Sequence, residues 1–217
     1  MHISSGIPRR ALCAFGAMLI AGARIVAQAP APPTGWVVRV DGGGNASEVK
    51  AEAMKPGFHV TTGPAAILFD SSMRGTGDWR LEATIHLFDP GARAEGFGVF
   101  FGGRDLNSAA PTYGYALLRR DGKAILKARN GAAVRTVRDW TASAAIPVFK
   151  AGPIGTSVKY QLVVEAKGDR VALWVGPTRV LDAPRSELPA DGIVGLRINH
   201  ALSVHVERLT VSPIARR

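Results

Sequence analysis

The chain has 217 residues, 47% of them hydrophobic and 20% charged, with 25 glycines and 14 prolines. That composition excludes a disordered or fibrous protein and favours many short strands over long helices, at a length that one all-β domain can fill. The formal net charge of +10 points toward acidic glycans, nucleic acid or anionic surfaces, but the basic residues are scattered without a long like-charged block, and a solvated basic surface is the simpler account.

Residues 1–28 read as a secretory signal peptide. Arg9 and Arg10 precede an apolar run, ALCAFGAMLIAGA at 11–23, and small residues follow at Ala27 and Ala29. The run is shorter than the roughly 20 apolar residues that a membrane span needs, so no span is expected in the mature form. The expected localisation is therefore secreted or periplasmic. The only cysteine, Cys13, falls at the start of this run, which leaves the exported chain without disulfide or thiol chemistry. Residues 29–35 then read as a Pro-rich linker and 214–217 as a short basic tail.

From Trp36 to residue 213 the chain reads as strands. WVVRV (36–40) is β-prone and is followed by the loop run DGGGN, and 46–56 is the one stretch where a helical turn is plausible. FHVTT (58–62) and AAILF (65–69) are short strands separated by Gly63 and Pro64. In WRLEATIHLF (79–88), Trp79, Leu81, Ala83, Ile85 and Leu87 alternate with Arg80, Glu82, Thr84, His86 and Phe88, the period-two pattern of a half-buried strand.

FGVFF precedes a polar loop, 102–112, and then a hairpin turning at Asp121–Gly122. A two-residue turn there pairs Leu118 with Ile125, Ala116 with Lys127 and Gly114 with Arg129. In that register Tyr113, Tyr115, Leu117, Arg119, Ala124, Leu126 and Ala128 share a mostly apolar face directed at the core. Lys127 and Arg129 then stand beside small residues on the other face, as a ligand platform or a solvated exterior. Arg104, Asp105 and Asn107 in the loop suit hydroxyl-rich ligands, since planar polar groups and amides hydrogen-bond sugars, although an ordinary connection fits them as well. Trp140, ending VRTVRDW, is either a stacking platform or part of the core edge. Further strands follow at VKYQLVVEA, RVALWVG, TRVL, IVGLRIN and SVHVERLTV, with turn signals between them and no helical crossover.

The ending VALWVGPTRVL, LPADGIVGLRI and VHVERLTV resembles the closing strands of concanavalin-A-like lectins and glucanases, the laminin-G-like jelly rolls. The middle, FGVFFGGRD to YGYALLRRDGKAILKARNG, is similar to bacterial domains grouped near the 3-keto-disaccharide hydrolase domain. The resemblance implies an all-β, concanavalin-like jelly-roll β-sandwich of two antiparallel sheets over 36–213, with any ligand on a concave sheet face and its rim loops.

It also implies that the first long strand and the last are neighbours, which would bring Glu82, His86, His205 and Glu207 together as weak candidates for acid–base or metal chemistry. Cross-strand charge pairing is the plainer account of the four. No paired-carboxylate motif of family 16 glycoside hydrolases, no P-loop and no nucleophile elbow is present. Calcium is common in laminin-G-like domains, but Asp70, Asp89 and Asp105 form no acidic cluster in the sequence, and no cofactor is evident. The basic residues and aromatics have no fixed spacing of the kind nucleic-acid binding needs. The expectation is an exported carbohydrate-binding module contacting a neutral or acidic glycan through Arg104, Asp105, Asn107, Lys127, Arg129 and Trp140. A glycoside hydrolase or lyase, or a non-catalytic structural module of the cell envelope, are the alternatives.

Overall fold

The computed structural model describes residues 1–2 and 33–215, so the expected signal peptide after residue 2, residues 29–32 of the linker and the last two residues lie outside the described part. The alternation seen in WRLEATIHLF is carried through in the structure. Its five odd-numbered residues are buried, each at most 3% exposed, and the residues between them are half-buried.

The strands, in chain order, are β1 (Trp36–Val40), β2 (Lys50–Ala53), β3 (Phe58–Thr61), β4 (Ala66–Gly75), β5 (Trp79–Phe88), β6 (Gly96–Arg104) and β7 (Thr112–Arg119). After them come β8 (Lys123–Asn130), β9 (Ala133–Ala142), β10 (Ser157–Lys167), β11 (Arg170–Val175), β12 (Thr178–Pro184), β13 (Gly192–Ile198) and β14 (Ser203–Pro213). They form two seven-stranded antiparallel sheets: sheet A in the order β1-β4-β13-β6-β7-β8-β9, and sheet B in the order β12-β11-β10-β5-β14-β3-β2. The helical turn expected within 46–56 is confined to a 3-10 turn at Ala46–Glu48, and β2 takes the residues after it.

The main core lies between the sheets. From sheet A it takes Leu68, Phe97, Val99, Phe101, Leu118, Leu126 and Leu196, and from sheet B Trp79, Leu81, Ile85, Tyr160, Leu162, Val164 and Val204. A second apolar cluster lies on the opposite, outer face of sheet A: Ile67, Phe69, Phe100, Leu106, Tyr113, Tyr115, Leu117 and Ile125. Sheet A is therefore covered on both faces, and β6 is buried along nearly its whole length.

The β7–β8 register differs by one residue from the expected one. Leu118 pairs with Ala124, Leu117 with Ile125, Tyr115 with Lys127 and Tyr113 with Arg129. The turn holds three residues, Arg120–Asp121–Gly122, with the Gly122 N–H donated to the Arg119 carbonyl and positive φ at Gly122 but not at Asp121. A type I turn closed by a left-handed glycine satisfies the same Asp–Gly signal as the two-residue turn does. Because side chains alternate with period two, the slip moves one whole strand face. Ala124 and Leu126 join the core with Ala116 and Leu118, while Tyr113, Tyr115 and Leu117 turn outward beside Ile125, Lys127 and Arg129. The open space expected beside Lys127 and Arg129 is thus filled by two tyrosines.

Candidate functional site

The outer face of sheet A is concave. Five strand-to-strand steps separate β1 from β8, which in a flat sheet is about 24 Å at 4.8 Å per step. Yet Asp41, whose N–H is donated to the Ala65 carbonyl at the end of β1, has its Oδ2 3.3 Å from Arg129 Nη1 on β8. No arginine and aspartate span the flat distance, so the sheet is rolled with this face inside. Glycines at the inner bend permit the roll. Gly98 lies between Arg197 and Leu117, and Gly195 between Phe69 and Phe100, all on this face. A Cβ on Gly195 would stand 2.3 Å from the Leu68 carbonyl oxygen and 2.6 Å from the Phe100 ring.

Asp41 is the centre of the bowl. Its Oδ2 accepts from the Tyr113 hydroxyl and from Arg197 Nη1 as well as facing Arg129, and Arg39 Nε lies 3.7 Å from Oδ1. Side-chain exposure is 2% for Asp41 and 10, 15 and 20% for Arg197, Arg129 and Arg39, so four charged groups share a nearly closed space. Three guanidinium groups against one carboxylate leave a cationic surplus there. The Nε of Arg39, the Nε of Arg197 and Oδ1 of Asp41 are buried without a hydrogen-bond partner among the described residues. Arg197 lies over the Tyr115 ring at 5.5 Å and Arg129 near the Tyr113 ring at 6.0 Å. Burial pushes both phenols above their ordinary pKa, so each tyrosine is a neutral hydroxyl at physiological pH.

The loop after β6 closes one side of the bowl. Arg39 donates to the carbonyls of Leu106 and Ser108, and Leu106 packs into the outer cluster. The polar residues singled out there go elsewhere. Arg104 is exposed and donates to the Asp191 carbonyl, while Asp105, at positive φ, and Asn107 are exposed at the tip. Lys127 is half-buried beside Tyr115 and makes no ion pair among the described residues. Trp140 lies on the same face, packed over Gly96 and Leu117, with the Arg119 guanidinium 4.6 Å above its ring. Of the six expected contacts, Lys127, Arg129 and Trp140 are thus on the bowl, and Arg104, Asp105 and Asn107 are on its rim.

Sequence reasoning missed Asp41, Arg39, Arg197, Tyr113 and Tyr115. Arg39 in WVVRV and Arg197 in GIVGLRI are single charges inside apolar strands. Each needs a buried counter-charge, and that requirement was the available signal.

On the outer face of sheet B, β5 and β14 are neighbours, and a row crosses five strands: Glu52, His59, His205, His86 and Lys159. Glu207 follows His205 on this face, and a β-bulge after Val206 brings Arg208 onto it as well; His86 Nε2 lies 2.7 Å and Lys159 Nζ 3.0 Å from Glu207. Those two contacts, His86 first, hold the Glu207 carboxyl below its ordinary pKa, which suits an acceptor and not a general acid. Burial, then neighbouring histidine charge, lowers both His59 and His205. Glu82 lies apart from this group, paired with Arg80 and Arg208. The expected cluster therefore forms from three of its four members, without Glu82.

Among the described residues, no group of three or more His, Cys, Asp and Glu side chains is placed to hold a metal ion, and no helix is long and apolar enough to cross a membrane. Calcium takes six to eight oxygen ligands. The bowl, with one carboxylate ringed by guanidinium groups, does not fit it.

Two facing antiparallel sheets, one rolled around a polar centre, define a jelly-roll β-sandwich. No protein-family model and no curated protein sequence matches the chain. Among solved structures it is similar to the carbohydrate binding module CBM66 from Bacillus subtilis, at 17% identity and a TM-score of 0.60 over 82% of this chain and 96% of that one. It is similar also to a Bacillus subtilis protein of unknown function with a galectin-like fold (10% identity, TM-score 0.62, 84% and 90% covered). A third is the exoplasmic/lumenal domain of VIP36 in its Ca2+/Man3GlcNAc-bound form (9% identity, TM-score 0.55, 84% and 85% covered). At these identities the likeness establishes the fold.

Proposed function

We propose that this chain is an exported carbohydrate-binding sandwich whose sugar site is the concave face of sheet A. The observation that carries the reading is the Asp41 centre: a carboxylate, three guanidinium groups and two tyrosines converge in a rolled sheet face, with polar atoms left over. Sugars are bound by such planar, fixed donors and acceptors beside aromatic rings. Lys127 and Trp140 extend the surface along the sheet, and the loop bearing Arg104, Asp105 and Asn107 borders it. Two structural neighbours, the carbohydrate binding module CBM66 and VIP36 in its Man3GlcNAc-bound form, support the same use of the fold. The N-terminal basic, apolar and small-residue order supports export.

A glycan array probed with the protein tests the reading. Binding to at least one glycan class, lost in Tyr115→Ala and Trp140→Ala while Glu82→Gln and Glu207→Gln retain it, is the expected result. Binding that survives the first pair and disappears with the second would move the site to sheet B.

A further inference from the structure

Resting on that reading, we propose that the sugar taken by the concave face carries a carboxylate, as a uronic-acid glycan does, and that Arg197, Arg129, Arg39 and Lys127 read its charge. Asp41 balances one of the three guanidinium groups around it, and Lys127 beside Tyr115 adds a further cation without a partner among the described residues. Arg119, also on this face, is neutralised by two hydrogen bonds to Asp121 of 2.7 and 2.6 Å and contributes no surplus. A neutral sugar would leave the excess charge in a space where the arginines are 10–20% exposed. Uncompensated charge is costly at that burial, and an arriving anion removes the cost.

The geometry favours a carboxylate in particular. Guanidinium groups present planar forks of N–H donors that match a carboxylate in bidentate fashion. Arg39 and Arg197 each keep one buried Nε donor uncommitted. Arginines from β1, β8 and β13 converge on one point, whereas a phosphate backbone is bound by cations strung along a track. The tyrosines beside them are neutral donors that do not compete as anions.

The test is calorimetric titration of the protein at physiological salt with polygalacturonate, with its methyl ester, and with neutral galactan. The expected result is about tenfold or greater preference for the acid over the ester, a difference of about 1.4 kcal/mol. Arg197→Gln and Lys127→Gln should each reduce that preference severalfold. Arg179→Gln, which removes the same charge from an exposed position on β12, should leave it unchanged. If Arg197→Gln does not fold, as judged by its melting curve, Lys127→Gln decides alone. Equal affinity for acid and ester overturns the charge assignment and leaves the carbohydrate reading in place. Binding to no glycan on the array or in titration overturns both. A preference reduced equally by Arg179→Gln, or abolished by competing duplex DNA, overturns the assignment in favour of general attraction to polyanions.

Discussion

Replacing Asp41 with Asn removes one charge from the middle of the bowl and keeps an oxygen for the Tyr113 hydroxyl to donate to. The carboxylate lies 3.3 Å from Arg129 Nη1 and bonds Arg197 directly. At that distance one pair attracts by about 5 kcal/mol in gross terms for an effective dielectric of about 20. Desolvation of both partners offsets much of it, and breaking one partner of a buried pair costs about 3–5 kcal/mol. With one hydrogen bond retained, Asp41→Asn should destabilise the fold by about 3 kcal/mol. For a domain of this size that lowers the Tm by about 6–12 °C. Urea unfolding gives the free energy directly, and repetition at high salt adds a second readout. The variant should gain more from salt than the parent, because Arg39, Arg129 and Arg197 then repel one another without a counter-charge. A loss below about 0.5 kcal/mol, the range of ordinary surface substitutions, would show that the cluster is solvated and would refute the argument from burial.

Other expectations rest on single contacts. Tyr160 is fully buried against Phe97, its pKa pushed up to about 12 by burial, and its hydroxyl has no partner among the described residues, so Tyr160→Phe should stabilise by about 1 kcal/mol in urea melts. A comparable loss would mean that the hydroxyl is bonded. His59 and His205 have folded pKa values below the ordinary 6.5, so the unfolded chain takes up their protons first on acidification. Stability should be level above about pH 6.5 and fall below it, and His205→Gln should flatten that fall in Tm measured against pH. Gly195→Ala drives a methyl into the Leu68 carbonyl and the Phe100 ring and should cost about 2 kcal/mol or more, with weaker glycan binding as the bowl opens. An unchanged melting curve would show that the roll does not depend on that glycine.

How far the sequence foretold all this varied with the kind of information required. β5 was legible because its alternation is a property of ten consecutive residues. The pairing of β5 with β14 was legible only through resemblance, since the two strands lie far apart in the chain. The β7–β8 hairpin was recognised but set in the wrong register, because Asp121–Gly122 fits turns of two lengths and a single residue decides which face meets the core. The expected register hides the cluster around Asp41, since it directs Tyr113 and Tyr115 at the core, whereas both lie on the outer face. Asp41, next to three glycines, resembled loop composition and nothing more. Its role arises from the rolling of a seven-stranded sheet, which depends on contacts between strands that no local pattern records.

The placement of β14 bears on how the molecule comes to exist. The final strand enters sheet B between β5 and β3, so His205 of the last stretch meets His86 and His59, far earlier in the chain. Until those 11 residues have been synthesised, β5 and β3 have open edges where β14 belongs, and sheet B remains in two pieces. Such long-range closure folds slowly. β3 and β5 are joined in sheet B through β14, so the sheet closes by contacts far apart in the chain.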